Sequence, residues 1–295
     1  MNAFLIAWRA SRYLPVSVVR GLASLGAASA WFLRGKSVTR LESNLHKVTG
    51  LSGKPLRRLS RRGMSSVANY YAEVLELPRM SGDVIDARVR MENEHEVQAI
   101  LRDEGRVVLP LSHSGNWDLI GAYAGRNIAH VTSVAEVLNP PEVFEEFIKF
   151  RAGLGMTIFG HEGQSTFRKL ITQAKTVGGA LALVADRDLS GSGIHVDMWG
   201  HDVRVAPGPA ALAVASGSAL IPVMVYSEPL TGARRKAAKS RVGKVLKFGP
   251  TIRIPEGRKT DQVQSMTESW VAFISTEIAA HPEDWHMLQR FGWTE

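Results

Sequence analysis

The chain reads as an α/β protein, with a mostly parallel central sheet flanked by helices and preceded by apolar helices that face a membrane. Three observations predict this. From about Val107 to the end, short strand-like runs alternate with helical ones, the pattern of a parallel sheet with crossover helices. Val107–Leu111 and Ala180–Ala185 are apolar throughout, as strands covered on both faces are. Residues Met1–Leu33 are apolar and small, broken only by Arg9, Arg12 and Arg20.

That first segment is expected to lie in a membrane interface. Its longest uncharged run, Gly21–Leu33, is too short to cross hydrocarbon. Trp8 and Trp31 lie within it, and a strongly basic stretch follows (Arg34, Lys36, Arg40, Lys47, Lys54, Arg57, Arg58, Arg61, Arg62), as a monotopic anchor on an anionic bilayer requires. A packed helix pair and a cleaved signal are the rival readings. Ser65–Leu77 is expected to be a helix that ends at Pro78, with Tyr70, Tyr71, Val74 and Leu77 near one packing face. Met91–Arg102 is a charged helical or strand-edge segment.

Helix Asp118–Arg126 precedes a β-branched strand, His130–Glu136. Pro140–Lys149 starts with prolines and carries acids in its first turn, as helix starts do. Strand Met156–Phe159, helix Thr166–Lys175 and strand Ala180–Ala185 follow. Gly193–Gly208 is a hairpin turning near Gly200, and Pro209–Ser216 is a small-residue helix. Ala219–Tyr226 is a buried strand with Pro222 inside it, which places it at an edge or a bulge. Thr231–Arg241 is a basic loop without interleaved aromatics, so nucleic acid is not expected as a partner. Val242–Ile254 supplies the last strand region and Asp261–Ala280 the last helix. The whole chain, 1–295, is expected to be one domain.

The 295 residues carry 36 basic and 28 acidic side chains, a net charge of +8, which suits an anionic partner. There is no cysteine, so disulfides, thiolate metal sites and a cysteinyl acyl-enzyme are excluded. No phosphate-binding glycine motif occurs, and the histidines do not fall into zinc-hydrolase spacings, so no metal and no resident cofactor is expected.

The chemistry-bearing stretch is SHSGNWD, residues 112–118, a turn between strand Val107–Leu111 and the next helix. A histidine at a strand's C-terminal end projects into the cleft where open α/β sheets bind ligands. A neutral imidazole can take a proton from an alcohol, and a carboxylate can hold its tautomer. His113 and Asp118 are the candidate base and partner, although the spacing alone arises readily by chance. Ser114 is a competing nucleophile with no separate base in view. Arg151, at a helix end before a glycine turn, is a candidate phosphate clamp or a plain surface arginine. Asp186, Arg187 and Asp188, at a strand end, suit a charged substrate or a buried ion pair.

Taken in order, SHSGNWDLIGAY, FRAGLGM, VADRDLSGSGI, APGPAALAVASGSALIPV and PEDWHMLQR, with RGKSVTRLESNL after the apolar start, resemble the bacterial lipid A late-acyltransferase family within the wider glycerolipid acyltransferase group. The nearer resemblance is to the actinobacterial branch that acylates phosphatidylinositol mannosides. The resemblance implies a glycerolipid-acyltransferase-like fold. It also implies transfer from acyl-coenzyme A, a co-substrate, to a mannose hydroxyl of a phosphatidylinositol mannoside, by a monomer at the cytoplasmic face of the cell membrane. His113 takes the family's general-base role and Asp118 its partner's, with no acyl-enzyme. Arg151 matches a family arginine linked to substrate binding, Glu136 a family acidic position, and Asp186, Arg187 and Asp188 a third block. The alternatives are lipid A-type acylation from acyl carrier protein, a lysophospholipid acyltransferase, and a basic membrane-binding protein without activity.

Overall fold

The computed structural model describes residues 13–137, 139–188, 191 and 193–294. Among the described residues three helices come first: α1 (Val16–Leu33), α2 (Lys36–Thr49) and α3 (Gly53–Glu76). Residues 1–12 of the expected membrane segment lie outside the described residues. Val38, Leu41 and Leu45 of α2 close on Leu59 and Met64 of α3, with Trp31 at the rim of this small core. The Trp31 ring carries the Arg57 guanidinium at 4.1 Å and donates its N–H to Ser60. Helix α1 lies along α3 but buries only Val19, so Leu22, Leu25, Phe32 and Leu33 face outward. By length and composition, α1 is apolar enough to cross a membrane.

The sheet follows in alternation with helices: α4 (Gly82–Arg88), β1 (Val89–Glu92), α5 (His95–Glu104), β2 (Arg106–Leu111), α6 (Trp117–Asn127), β3 (Val131–Ala135), α7 (Pro141–Gly153), β4 (Met156–Gly160), α8 (Gln164–Thr176), β5 (Gly179–Val184), a hairpin β6 (Ile194–Met198) and β7 (His201–Val205), α9 (Gly208–Ser216), β8 (Val223–Pro229), α10 (Gly232–Ala238), β9 (Val242–Phe248) and α11 (Lys259–Ala280). The seven strands stand in the order β1-β9-β8-β2-β5-β3-β4. β8, β2, β5, β3 and β4 run parallel, β9 returns antiparallel to β8, and β1 pairs parallel to β9. The expected mostly parallel sheet is therefore present.

Side-chain alternation explains why β2 is apolar throughout. Val107, Leu109 and Leu111 enter the core beneath α4, α5 and α6, while Val108 enters the core shared with α8, α9 and α11. Of the two placements expected for Pro222 the edge is overturned, while the pairing does break at the proline, since Leu220 before it already bridges Val108 and Ile252. β8 is interior, between β2 and β9, and begins only at Val223, so the proline precedes the strand and its missing N–H costs no ladder bond. Its carbonyl still accepts from Gly249 N–H. The basic loop at 231–241 is also corrected, since Gly232–Ala238 is helical. There Arg234 donates to the Ala87 carbonyl and pairs with Glu228, so part of its charge is structural.

One buried ion pair ties the N-terminal helices to the sheet. The Arg88 side chain is fully buried and donates to both Glu76 oxygens, at 2.8 and 3.2 Å, and to the Ala238 carbonyl. Glu76 also receives Arg20 of α1 at 2.6 Å. Burial pushes the Glu76 carboxyl up, but Arg88 and Arg20 outweigh it and hold it below its usual range. Replacing Arg88 by Met is expected to destabilise the fold by about 3 kcal/mol, because it leaves the Glu76 carboxylate with Arg20 alone and the Ala238 carbonyl without this donor. The Arg88→Met/Glu76→Leu double variant is expected to recover much of that loss in urea unfolding.

Candidate active site

The site is built on the turn between β2 and α6. The chain leaves the sheet at Leu111, and Ser112 and Ser114 pair their hydroxyls at 2.5 Å beneath it. Gly115 takes φ +61°, and a Cβ there would lie 2.5 Å from Val225 Cγ1 and 2.7 Å from the Val225 carbonyl oxygen, so only glycine fits. Asn116 caps α6 by accepting from Leu119 N–H at 3.0 Å, and its amide donates to Glu73 at 2.8 Å. The turn is thus held rigid, with His113 at its outer edge.

His113 does not take the partner expected of it. Its Nδ1 lies 2.5 Å from Asp186 Oδ1, and its backbone N–H donates to Asp186 Oδ2 at 3.0 Å. Asp186 stands just past the end of β5, the strand beside β2, and is 1% exposed. Trp285 Nε1–H donates to the same Oδ2 at 3.0 Å. Burial pushes the Asp186 carboxyl up, but the charge and hydrogen bond of His113, joined by the donors of Trp285 and the backbone, outweigh it and hold it below the usual carboxylate range. A carboxylate facing Nδ1 places the ring proton there and makes Nε2 the acceptor. The His113 ring also meets Trp117 edge-on, with centroids 6.0 Å apart.

Asp118, the expected partner, lies on the second residue of α6 and is buried. Arg151 Nε donates to its Oδ1 at 2.6 Å, Arg151 Nη2 to its Oδ2 at 3.3 Å, and Tyr70 O–H to its Oδ2 at 2.9 Å. Burial, then the adjacent Asp118, pushes the Tyr70 hydroxyl up, so it remains a donor. The motif aspartate therefore binds the second-block arginine, while the third-block Asp186 binds the motif histidine. His113 and Asp118 still line one cavity.

That cavity has a volume of about 560 Å³, within the range of small-molecule sites. Its walls are mainly apolar: Leu109 and Leu111 of β2, Ala182 and Val184 of β5, Ile120 of α6, Met156 of β4 and Phe144 and Phe147 of α7. Polar groups are few, and they include His113, Asp118, Arg151, Glu136, Arg187 and His161. Glu136 is exposed just past β3, and Arg187 is half-buried. Asp188 is spent elsewhere. It pairs with Arg204 at 2.8 Å and accepts from the Gly191 and Gly193 amides, closing the loop after β5 and not lining the cavity. Ser114 is buried, with its hydroxyl on Ser112, which argues against a serine nucleophile. Among the described residues no group of three or more His, Asp or Glu is arranged to hold a metal.

Sequence reasoning missed four residues here: Tyr70, Trp117, Trp285 and His286. Tyr70 reads as packing because its helical face is apolar, and its hydroxyl partner lies 48 positions away. His286 lines the cavity from the C-terminal segment.

A protein-family model for bacterial lipid A biosynthesis acyltransferases matches residues 2–291. The chain belongs to this family. It is 31% identical over 289 residues to a phosphatidylinositol mannoside acyltransferase of Mycolicibacterium smegmatis, covering 96% of this chain and 88% of that relative. It is likewise 31% identical over 293 residues to a phosphatidylinositol mannoside acyltransferase of Mycobacterium tuberculosis, covering 97% and 86%. Among solved structures, the 1-acyl-sn-glycerophosphate acyltransferase PlsC of Thermotoga maritima aligns over 90% of this chain and 98% of its own, with TM-score 0.41 and 14% identity. As a member of the lipid A biosynthesis acyltransferase family, the chain is an acyltransferase.

His286 of this acyltransferase adds a pH-sensitive element beneath the site. Ser66 donates to Asp284 Oδ1 at 2.6 Å, so its oxygen accepts from His286 Nε2–H at 2.9 Å, leaving Nδ1 buried without a hydrogen bond. Burial, with Lys244 and His113 nearby, outweighs Asp284 and pushes His286 down to about 3. The unfolded chain therefore binds one more proton between about pH 6.5 and pH 3, and the stability present above that window is lost as pH falls through it. His286→Asn is expected to flatten the stability change between pH 7 and pH 5, measured by urea midpoints.

Proposed function

We propose that the protein moves a fatty acyl chain from acyl-coenzyme A to a mannose hydroxyl of a phosphatidylinositol mannoside, with His113 as general base. The carrying observation is the His113–Asp186 pair at the wall of an apolar cavity, in a chain that matches acyltransferases along nearly its whole length. The names of the mycobacterial relatives support the acceptor.

His113 Nε2 takes the proton of the attacking sugar hydroxyl as its oxygen bonds to the thioester carbonyl carbon. Asp186 steadies the imidazolium that results. The tetrahedral adduct collapses, the carbon–sulfur bond breaks, and the coenzyme A thiolate leaves and takes the proton back from the imidazolium. In the first turn of α6 the Leu119 amide is taken by the Asn116 side chain and the Ile120 amide by the Asn116 carbonyl, so the amides of Trp117 and Asp118 are the ones left to hold the oxyanion. The acyl chain occupies the cavity, where each buried methylene contributes about 0.8 kcal/mol. Asp118 and Arg151 form its charged wall, and Glu136 and Arg187 meet the polar acceptor.

The protein sits on the cytoplasmic face of the cell membrane. Two features support this: the outward apolar face of α1, and the basic run beside it from Arg34 to Arg62.

His113→Ala is expected to abolish acyl transfer from labelled palmitoyl-coenzyme A to phosphatidylinositol mannoside without unfolding the protein. Asp186→Asn is expected to lower kcat by about 10³-fold or more, because it can set the wrong tautomer. More than a few percent of wild-type activity in His113→Ala would remove the base role. Running acyl carrier protein as donor, and unmannosylated phosphatidylinositol as acceptor, in parallel separates the lipid A-type and phospholipid readings. For the membrane, Leu22→Glu/Leu25→Glu touches only exposed positions. It is expected to lose co-flotation with anionic phospholipid vesicles, and a variant that floats like wild type would place the anchor elsewhere.

A further inference from the structure

The segment after α11 does more than end the fold. Pro282–Asp284 forms a single 3-10 turn, and the chain then runs directly beneath the His113 turn. Two backbone hydrogen bonds join the two, the Gly115 amide donating to the Asp284 carbonyl at 2.9 Å and the His286 amide to the His113 carbonyl at 2.7 Å, which together make an antiparallel bridge between Ser114 and Trp285. The Asp284 carboxylate fixes the segment by accepting from Ser66 Oγ at 2.6 Å and from the Ser227 amide and hydroxyl at 2.7 and 2.8 Å. Lys244, itself buried, reaches the same Ser227 hydroxyl at 2.9 Å.

The clamp ends on the carboxylate that holds the histidine. Trp285 is fully buried, with its ring packed 4.9 Å from Phe291 and 5.5 Å from Trp199, so its N–H can reach only one direction. That direction is Asp186 Oδ2, the oxygen not used by His113 Nδ1. That oxygen also accepts from the His113 backbone N–H, so the indole is its second donor and the only side-chain donor on it among the described residues; together the two hold the carboxylate in place, and the indole draws part of its charge from the imidazole.

We infer that Trp285 is a positioning residue for acyl transfer, setting the orientation and basicity of His113 through Asp186. The inference rests on His113 being the base. With the indole N–H removed, Asp186 keeps more charge for the imidazolium, so a higher pH is needed to free the base. The other titratable or charged groups around the cavity are Asp118 with Arg151, Tyr70, Tyr71, Glu136, Arg187, His161 and the neutral His286, with Lys244 and Asp284 below; none is replaced by the change.

The test uses the full chain with palmitoyl-coenzyme A and phosphatidylinositol mannoside. Two variants remove the N–H: Trp285→Phe, and Trp285 replaced by β-(3-benzothienyl)alanine, which exchanges the ring N–H for sulfur at nearly constant volume. The expected result is a kcat lowered by about tenfold or more, a nearly unchanged KM, and an acid limb of the rate profile moved to higher pH. Thermal melting distinguishes this from damage to the core, and the benzothienyl variant serves where Trp285→Phe fails to fold. The inference is overturned if the benzothienyl variant matches wild type in kcat and pH profile, or merely melts lower with an unmoved profile, while His113→Ala is inactive. Activity retained in His113→Ala overturns the base reading instead.

Discussion

Everything around the candidate site depends on one buried carboxylate. Asp186 has been taken out of water, which alone would favour its neutral form, and it remains charged because donors converge on it from three directions. Two of the donors, the imidazole and the backbone N–H, belong to His113 in the turn after β2, the third to the Trp285 segment after the last helix, while the carboxylate itself stands in the loop after β5. A buried charge of this kind requires its partners to be in place, so the three segments are fixed relative to one another. The neighbouring strands β2 and β5 provide the frame, because their parallel ladder puts both C-terminal ends on the same edge of the sheet.

The same logic is repeated nearby. Asp118 is covered by Arg151 and Tyr70, and Asp284 by Ser66 and Ser227 with Lys244 close at hand. Burial pushes the Asp284 carboxyl up, but Lys244, Ser66 and Ser227 outweigh it and hold it below its ordinary range. These networks are costly to leave incomplete, and a half-satisfied one would destabilise the fold more than an apolar replacement would. They line or underlie an otherwise apolar cavity, which keeps the local dielectric low and each contact strong. An acyltransferase needs both properties together: a greasy slot for the chain and a rigid, charged rim for proton transfer.

The layout of the fold was largely legible from local pattern. Val107–Leu111 and Ala180–Ala185 read as doubly covered strands because their apolar runs lack alternation, and prolines before α7 marked its start. Pro222 misled as to an edge because an interior position can also take a proline where the pairing breaks: Leu220 bridges Val108 and Ile252, and the regular ladder resumes at Val223. The basic stretch at 231–241 misled because charge density says nothing about local hydrogen bonding, and seven of its residues close into a helix. In the site, His113, Asp118, Arg151, Asp186, Arg187 and Glu136 were all recognisable as candidates, and all but Asp186 line the cavity. Asp188 was recognisable too, but it turns to Arg204 and to two loop amides.

What the sequence determined by itself is the set of elements and the chemical inventory: a strand-turn-helix carrying His113, a glycine where the turn needs a positive φ, and acids and arginines at strand and helix ends. Those follow from period, turn chemistry and residue type, which act over a few residues. Tertiary structure alone decided who pairs with whom. The spacing from 113 to 118 suggested one dyad, yet the imidazole meets a carboxylate 73 positions away, and Asp118 meets a hydroxyl 48 and a guanidinium 33 positions away. Hydrogen bonds between buried groups are chosen by which side chains the sheet order and helix packing bring within about 3 Å, and no local periodicity records that distance.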